Sequence, residues 1–134
     1  MKGTAIILLA LCAPVAQAAA PSEILASYRA EAARLSLGYQ PSTELGEHLY
    51  NRRFGISKKM PACASCHTDK PSQPGRHVVT DKAIKPLAPA ANGERFTDPG
   101  KVEKWFRRNC TEVVGRECSA AEKADFMTFV MGVR

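Results

Sequence analysis

The sequence predicts an all-α domain, and three observations predict it. Apolar residues recur at helical spacing wherever they are regular. No segment of strand length alternates apolar and polar residues, and "HVVT" is the one β-leaning tetrapeptide, too short to carry a sheet. The stretch from Phe54 to Asn92 is broken by Pro61, Pro71, Pro74, Pro86 and Pro89 and is expected to be mostly loop. The 134 residues amount to one domain. Aromatic content is only 7%, with nine Pro and nine Gly, so the apolar material for a large core is thin. A bulky apolar cofactor at the centre would complete it.

The first element lies outside the domain. "MKGTAIILLALCAPVAQA" has a positive start at Lys2, an apolar run from Ala5 to Leu11 and a small-x-small end at Ala16-Gln17-Ala18. This is the pattern of a secretory signal peptide spanning 1–18, cut after Ala18. The run is too short to span a bilayer. Leu11 stands where a lipoprotein signal acylated on Cys12 would need a small residue. The domain is expected over 19–134, exported to the periplasm and not embedded in the membrane. Loss of Lys2 takes the net charge from +6 to +5. A basic surface steers acidic partners, but no basic run is interleaved with aromatics, which argues against nucleic acid.

Within the domain, Ser22 can cap a helix whose stripe is Ile24, Leu25, Tyr28, Ala32 and Leu35, ended by Gly38 and Pro41. "STELGEHLYN" predicts a second helix with Leu45, Leu49 and Tyr50 on one side, and Gly46 allows another helix to approach closely. Helical order returns at "TDPGKVEKWFRR". Thr97 or Asp98 can cap it, Pro99 suits the first helical position, and Val102, Trp105 and Phe106 form the expected buried stripe. Arg107 and Arg108 fit a last turn, where the macrodipole favours cations. "SAAEKADFMTFVMGV" opens with a capping box at Ser119 and Glu122, and Phe126, Phe129, Val130 and Val133 give its apolar face.

The chemistry is carried by "CASCH", Cys63 to His67. Two thiols separated by two residues can each add to a haem vinyl group, and the following His is then held under the iron as a ligand. Three other roles compete. A redox dithiol lacks the βαβ context it needs. A zinc site adding Cys110 and Cys118 would leave His67 idle. A disulfide between Cys63 and Cys66 would be strained. Covalent haem c, one per chain, is the expected cofactor, with Cys63 and Cys66 as thioether residues and His67 as the proximal ligand.

The sixth ligand is less obvious. Met60 lies too near Cys63 to reach the opposite face, and Met127 and Met131 suit core packing. His48 and His77 are available, and His67/His77 ligation would make a permanently six-coordinate carrier. Asn109 can act as a helix C-cap, since Asn tolerates the left-handed conformation. It also precedes Cys110, and a bridge from Cys110 to Cys118 would hold its backbone in place, with about 2–3 kcal/mol of stabilisation from loop closure.

The stretch "RRNCTEVVGREC", preceded by "RFTDPGKVEKWF" and "KAIKPLAPA", resembles the sphaeroides haem protein family, from the "CASCH" motif to the last helix. The resemblance implies a class I cytochrome c fold wrapped around one haem. It places Asn109 on the family's axial Asn and Cys110 and Cys118 on its disulfide. It further implies that the reduced haem binds O2 or NO, with a multihaem or membrane cytochrome as the electron donor. Two functional classes follow, an electron-transfer carrier and a ligand-binding haem protein, and the identity of the sixth ligand discriminates them. Whether the chain turns over an oxygen or nitric oxide substrate is not fixed by the resemblance.

Overall fold

The computed structural model describes residues 18–134. The signal peptide expected over 1–18 therefore lies outside the described residues, apart from Ala18. Five helices form in order: α1 (Pro21–Leu35), α2 (Thr43–Asn51), α3 (Ala64–His67), α4 (Pro99–Val113) and α5 (Ala120–Gly132). The only sheet among the described residues is a minimal antiparallel ladder, β1 (Gly75–Arg76) paired with β2 (Ala83–Ile84). "HVVT" is the turn that joins them.

α1 begins at Pro21, whose missing N–H costs nothing at a helix start. Glu23 rather than Ser22 secures this end, its carboxylate accepting from the Ala20 N–H at 2.9 Å. Ile24, Tyr28 and Ala32 are buried, but Leu35 is 85% exposed, because the helix ends there and the core does not reach that far. α2 is capped by Ser42, which accepts from Leu45 N–H. It buries Gly46 and Tyr50, one turn apart, while Leu45 is 58% exposed. The face of α2 is thus set by its glycine rather than by Leu45.

Gly46 is where α2 crosses α5, as expected from sequence. A Cβ there would run into the Asp125 carbonyl and sit 2.8 Å from the Phe129 Cβ. Asp125, the one buried charged residue among those described, ties the same crossing to the α1–α2 connection. Its Oδ1 accepts from the Tyr39 hydroxyl at 2.6 Å and the Ser42 N–H at 2.8 Å. Burial of such a carboxylate is tolerable only because it is hydrogen-bonded.

α4 starts as predicted, with Asp98 accepting from Lys101 N–H and Pro99 at the first position. It then departs from expectation. Val102, Phe106, Cys110 and Val113 are buried, whereas Trp105 is 47% exposed. The buried spacing of four selects Phe106 over its neighbour. The helix also runs past Arg107, Arg108 and Asn109 to Val113, and the chain turns at Gly115 with φ +84°. α5 carries the expected capping box, with Ser119 accepting from Glu122 N–H and Glu122 accepting from Ser119 N–H. Met127 and Val130 are fully buried and Phe129 nearly so, while Phe126 and Val133 are partly covered.

Aromatic rings connect the helices. Tyr28 meets Phe106 edge-on at 5.7 Å, Phe106 meets Phe126 at 5.5 Å, and Tyr50 meets Phe129 at 5.4 Å. At the rim of this core Lys123 Nζ donates to both Glu103 oxygens, at 2.7 and 2.9 Å, and the Tyr28 hydroxyl donates to the same carboxylate at 2.8 Å. A disulfide, Cys110–Cys118, joins the end of α4 to the start of α5. Arg116 in the enclosed turn grips Glu122 with two nitrogens at 2.7 Å.

Candidate haem site

Cys66 and His67 lie on the single turn of α3, and Cys63 is the residue at its N-cap. Cys63 packs against the core cluster that includes Phe106 and Cys110. Burial pushes its thiol up to about 11. A redox dithiol needs the opposite shift, because the thiolate is its working form. Cys66 is partly covered and its sulfur accepts from the Val78 N–H at 3.5 Å.

The turn is clamped from two sides. Tyr50, with no exposure, donates its hydroxyl to the Thr68 carbonyl at 2.6 Å and to the His67 carbonyl at 3.1 Å. Thr68 follows at φ 64°, a conformation rare for a branched side chain. On the other side Gly75 presses its backbone onto the Cys66 carbonyl, so closely that a Cβ would collide with it. Sequence reading placed Tyr50 only in an apolar stripe. Nothing in helical spacing shows that its hydroxyl anchors His67 seventeen residues away.

His67 is held neutral. Burial, with the Arg95 cation and His77 nearby, pushes its imidazole down to about 4. A neutral imidazole is the form that ligates a metal. Arg95 is fixed in place by the Pro86 carbonyl at 2.8 Å and the Lys85 carbonyl at 2.7 Å.

His77 sits on this same side, in the turn after β1. Its Nδ1 accepts from the Val79 and Thr80 N–H groups, at 3.3 and 3.2 Å. These contacts engage Nδ1 with the backbone of its own turn. Gly75 packs on the Cys66 carbonyl and the Val78 N–H reaches the Cys66 sulfur, so the segment that carries His77 runs beside α3. His48 is exposed on α2, and Met127 is consumed by the core.

Asn109 stands within α4, one turn before its last residue, exposed, immediately before the bridged Cys110. The C-cap of α4 is Val114, whose N–H returns to the Cys110 carbonyl. Asn109 shares its helix face with Trp105, one turn earlier. No hydrogen bond engages its carboxamide among the described residues, while Arg108 and Thr111 beside it are bonded to Glu112 and to the Arg107 carbonyl.

These features fit a covalently held haem. Cys63 and Cys66 are free thiols one turn apart, whereas Cys110 and Cys118 are joined to each other. That bridge removes two of the four ligands a zinc site would need. The half-exposed apolar side chains Trp105, Val78 and Val79 offer surface of the kind a porphyrin covers. Among the described residues no three His, Cys, Asp or Glu side chains group into a separate metal site.

Fold and site define a class I c-type cytochrome with one covalently bound haem c. The chain belongs to the family described as a domain of unknown function, DUF1924, whose model matches residues 37–130, and sphaeroides haem protein is among its homologues. Cytochrome c'' of Methylophilus methylotrophus is 46% identical over 92 residues, 68% of this chain and 64% of that protein, so the match spans less than two thirds of its length. Cytochrome c-type protein SHP of Cereibacter sphaeroides is 38% identical over 111 residues, 82% of this chain and 81% of that one. The structure of oxidised SHP, described as an oxygen-binding cytochrome c, superposes with a TM-score of 0.76 at 37% identity, covering 84% of this chain and 96% of that one. The solution structure of the Methylophilus cytochrome c'', studied for haem-ligand detachment, gives 0.71 at 38% identity, covering 84% and 92%.

Proposed function

We propose that the protein is an exported cytochrome that accepts an electron from a partner and then holds a diatomic ligand, O2 or NO, with Asn109 as a sixth ligand that leaves on reduction. The observation that carries this is the position of Asn109. It lies within α4, one turn before its last residue, so capping does not explain it, and its carboxamide is exposed and free beside a backbone pinned by Cys110–Cys118. SHP is an oxygen-binding cytochrome c and cytochrome c'' has been studied for haem-ligand detachment, and both support the same reading.

In it, Cys63 and Cys66 would hold the haem through thioether bonds to its two vinyl groups. His67 supplies the proximal imidazole, kept neutral by burial and by Arg95. A bound haem would supply a one-electron iron couple. Asn109 offers an amide oxygen, a hard neutral donor that suits ferric iron and suits ferrous iron poorly. Once released, its N–H can donate to a diatomic guest. The bridge and the helix keep the amide near, so that it returns on oxidation. Export to the periplasm, with a cut after Ala18, is supported by the leader pattern and by the disulfide, which belongs to an oxidising compartment. The proposed donor is a multihaem or membrane cytochrome.

Asn109→Ala in the holoprotein tests the proposal. The ferric form should change spin state by visible and EPR spectroscopy, and the ferrous wild type should take up NO without displacing a strong ligand. An unchanged ferric spectrum in the variant removes Asn109 from the iron.

A further inference from the structure

Between Glu47 and Asp69 the chain has no acidic residue, and within that span Arg52, Arg53, Lys58 and Lys59 are all exposed. None forms an ion pair among the described residues. Elsewhere many cations are answered, Arg76 by Asp81, Lys85 by Glu94, Arg107 by Glu117, Arg108 by Glu112 and Arg116 by Glu122, and exposed cations without an ion pair, such as Arg29, Arg34, Lys70, Lys82 and Lys104, are not gathered four to one short loop. Arg52 is the least free of the four, since it lies over the Phe54 ring and shares a surface hollow with Glu44 and Glu47.

The segment is built rather than loose. The Phe54 N–H bonds the Pro61 carbonyl at 2.9 Å and closes the loop, and the Met60 N–H bonds Ser57 Oγ at 3.1 Å inside it. Phe54 packs on the core. Ile56, at the tip, is 59% exposed yet rests on Gly115, within 3.0 Å of where a Cβ would stand. One end of the loop therefore leads into Cys63, and its tip touches the turn enclosed by Cys110 and Cys118.

We infer that the loop 52–61 is a docking surface for an acidic face of the electron-donating protein. The inference rests on the proposed electron-accepting function. An exposed apolar residue flanked in the chain by cations that form no ion pair has the apolar and charged make-up of a protein interface, and complementary charge there raises the encounter rate. The loop also runs directly into the thiol-bearing turn, and its tip contacts the turn that follows the Asn109 helix, so a partner docked there would lie near both.

Reduced flavodoxin, an acidic one-electron donor, is the probe. Its anionic reduced flavin gives up one electron and becomes neutral, the ferric haem becomes ferrous, and no proton moves. At low ionic strength Lys58→Glu with Lys59→Glu should slow this reaction about tenfold and flatten its salt dependence. Arg29→Glu with Arg34→Glu, the same charge change on exposed positions of α1, should slow it less than about threefold. Reduction by a small neutral flavin should be equal in all three proteins. Equal slowing by both double variants, or none by the first, overturns the docking surface. So does a first variant that loses only its binding to phosphatidylglycerol vesicles, which would assign the loop to a membrane. A wild type that the neutral flavin cannot reduce overturns the electron-accepting function itself.

Discussion

Tyr50 shows how much of the site hangs on one side chain. It is fully buried, and its hydroxyl serves the carbonyls of His67 and Thr68 together. Tyr50→Phe keeps the ring contacts with Phe126 and Phe129 but leaves those two acceptors unmet, at a cost of about 1–3 kcal/mol. Urea unfolding of the ferric holoprotein should show that loss. Broader EPR lines should accompany it if His67 becomes less well oriented, and Tyr50→Leu should cost more because the ring contacts go as well. At this scale the haem-binding pair Cys63 and Cys66 was legible because its chemistry is contiguous in sequence. Tyr50 was not, because spacing shows which way a side chain faces and not what its tip will meet. Trp105 was misplaced for a related reason. A large apolar residue beside Phe106 looks buried by type, yet only one of two adjacent positions can face the core of a helix.

At the scale of elements, the α2–α5 crossing and the α4–α5 bridge do different work. The crossing depends on the absence of a side chain at Gly46, and that much could be read from a glycine inside an amphipathic helix. Gly46→Ala would drive a methyl group into the Asp125 carbonyl, a backbone atom that cannot swing aside. The expected loss is at least about 1–3 kcal/mol, the range for overpacking, measured as a fall in the thermal midpoint of the holoprotein. The bridge acts on the unfolded chain. Cys110→Ser with Cys118→Ser frees a loop of sequence separation 8 and should cost about 2–3 kcal/mol in urea. The far end of α4 was misjudged from sequence. Arg107, Arg108 and Asn109 form a conventional helix ending, but the side chains of Cys110 and Val113 still have core to bury, and the turn waits for Gly115. Tertiary packing overrode a local stop signal there, and that is why Asn109 projects from a rigid helix instead of closing one.

Across the whole molecule, the three tyrosines tie separate parts of the fold through hydroxyls that must stay protonated. Burial raises each above its ordinary range, joined by the Glu103 carboxylate for Tyr28, by Asp125 for Tyr39 and by the Asp69 carboxylate for Tyr50. The sign follows directly. A phenol whose folded pKa lies above its unfolded value contributes stability that is complete below the unfolded value, about 10, and is lost as pH rises beyond it. The urea midpoint should therefore carry no tyrosine-linked slope between pH 7 and about pH 9 and should fall above about pH 10. Phenolate absorbance should appear together with unfolding rather than ahead of it. Tyr39→Phe removes one of the three linked groups and should make the alkaline fall shallower, while lowering stability at neutral pH through the hydrogen bonds lost at Asp125 and the Ala121 carbonyl. If phenolate signal from all three rings instead rises near pH 10 with the helical circular dichroism intact, the hydroxyls are not the ties that the geometry makes them.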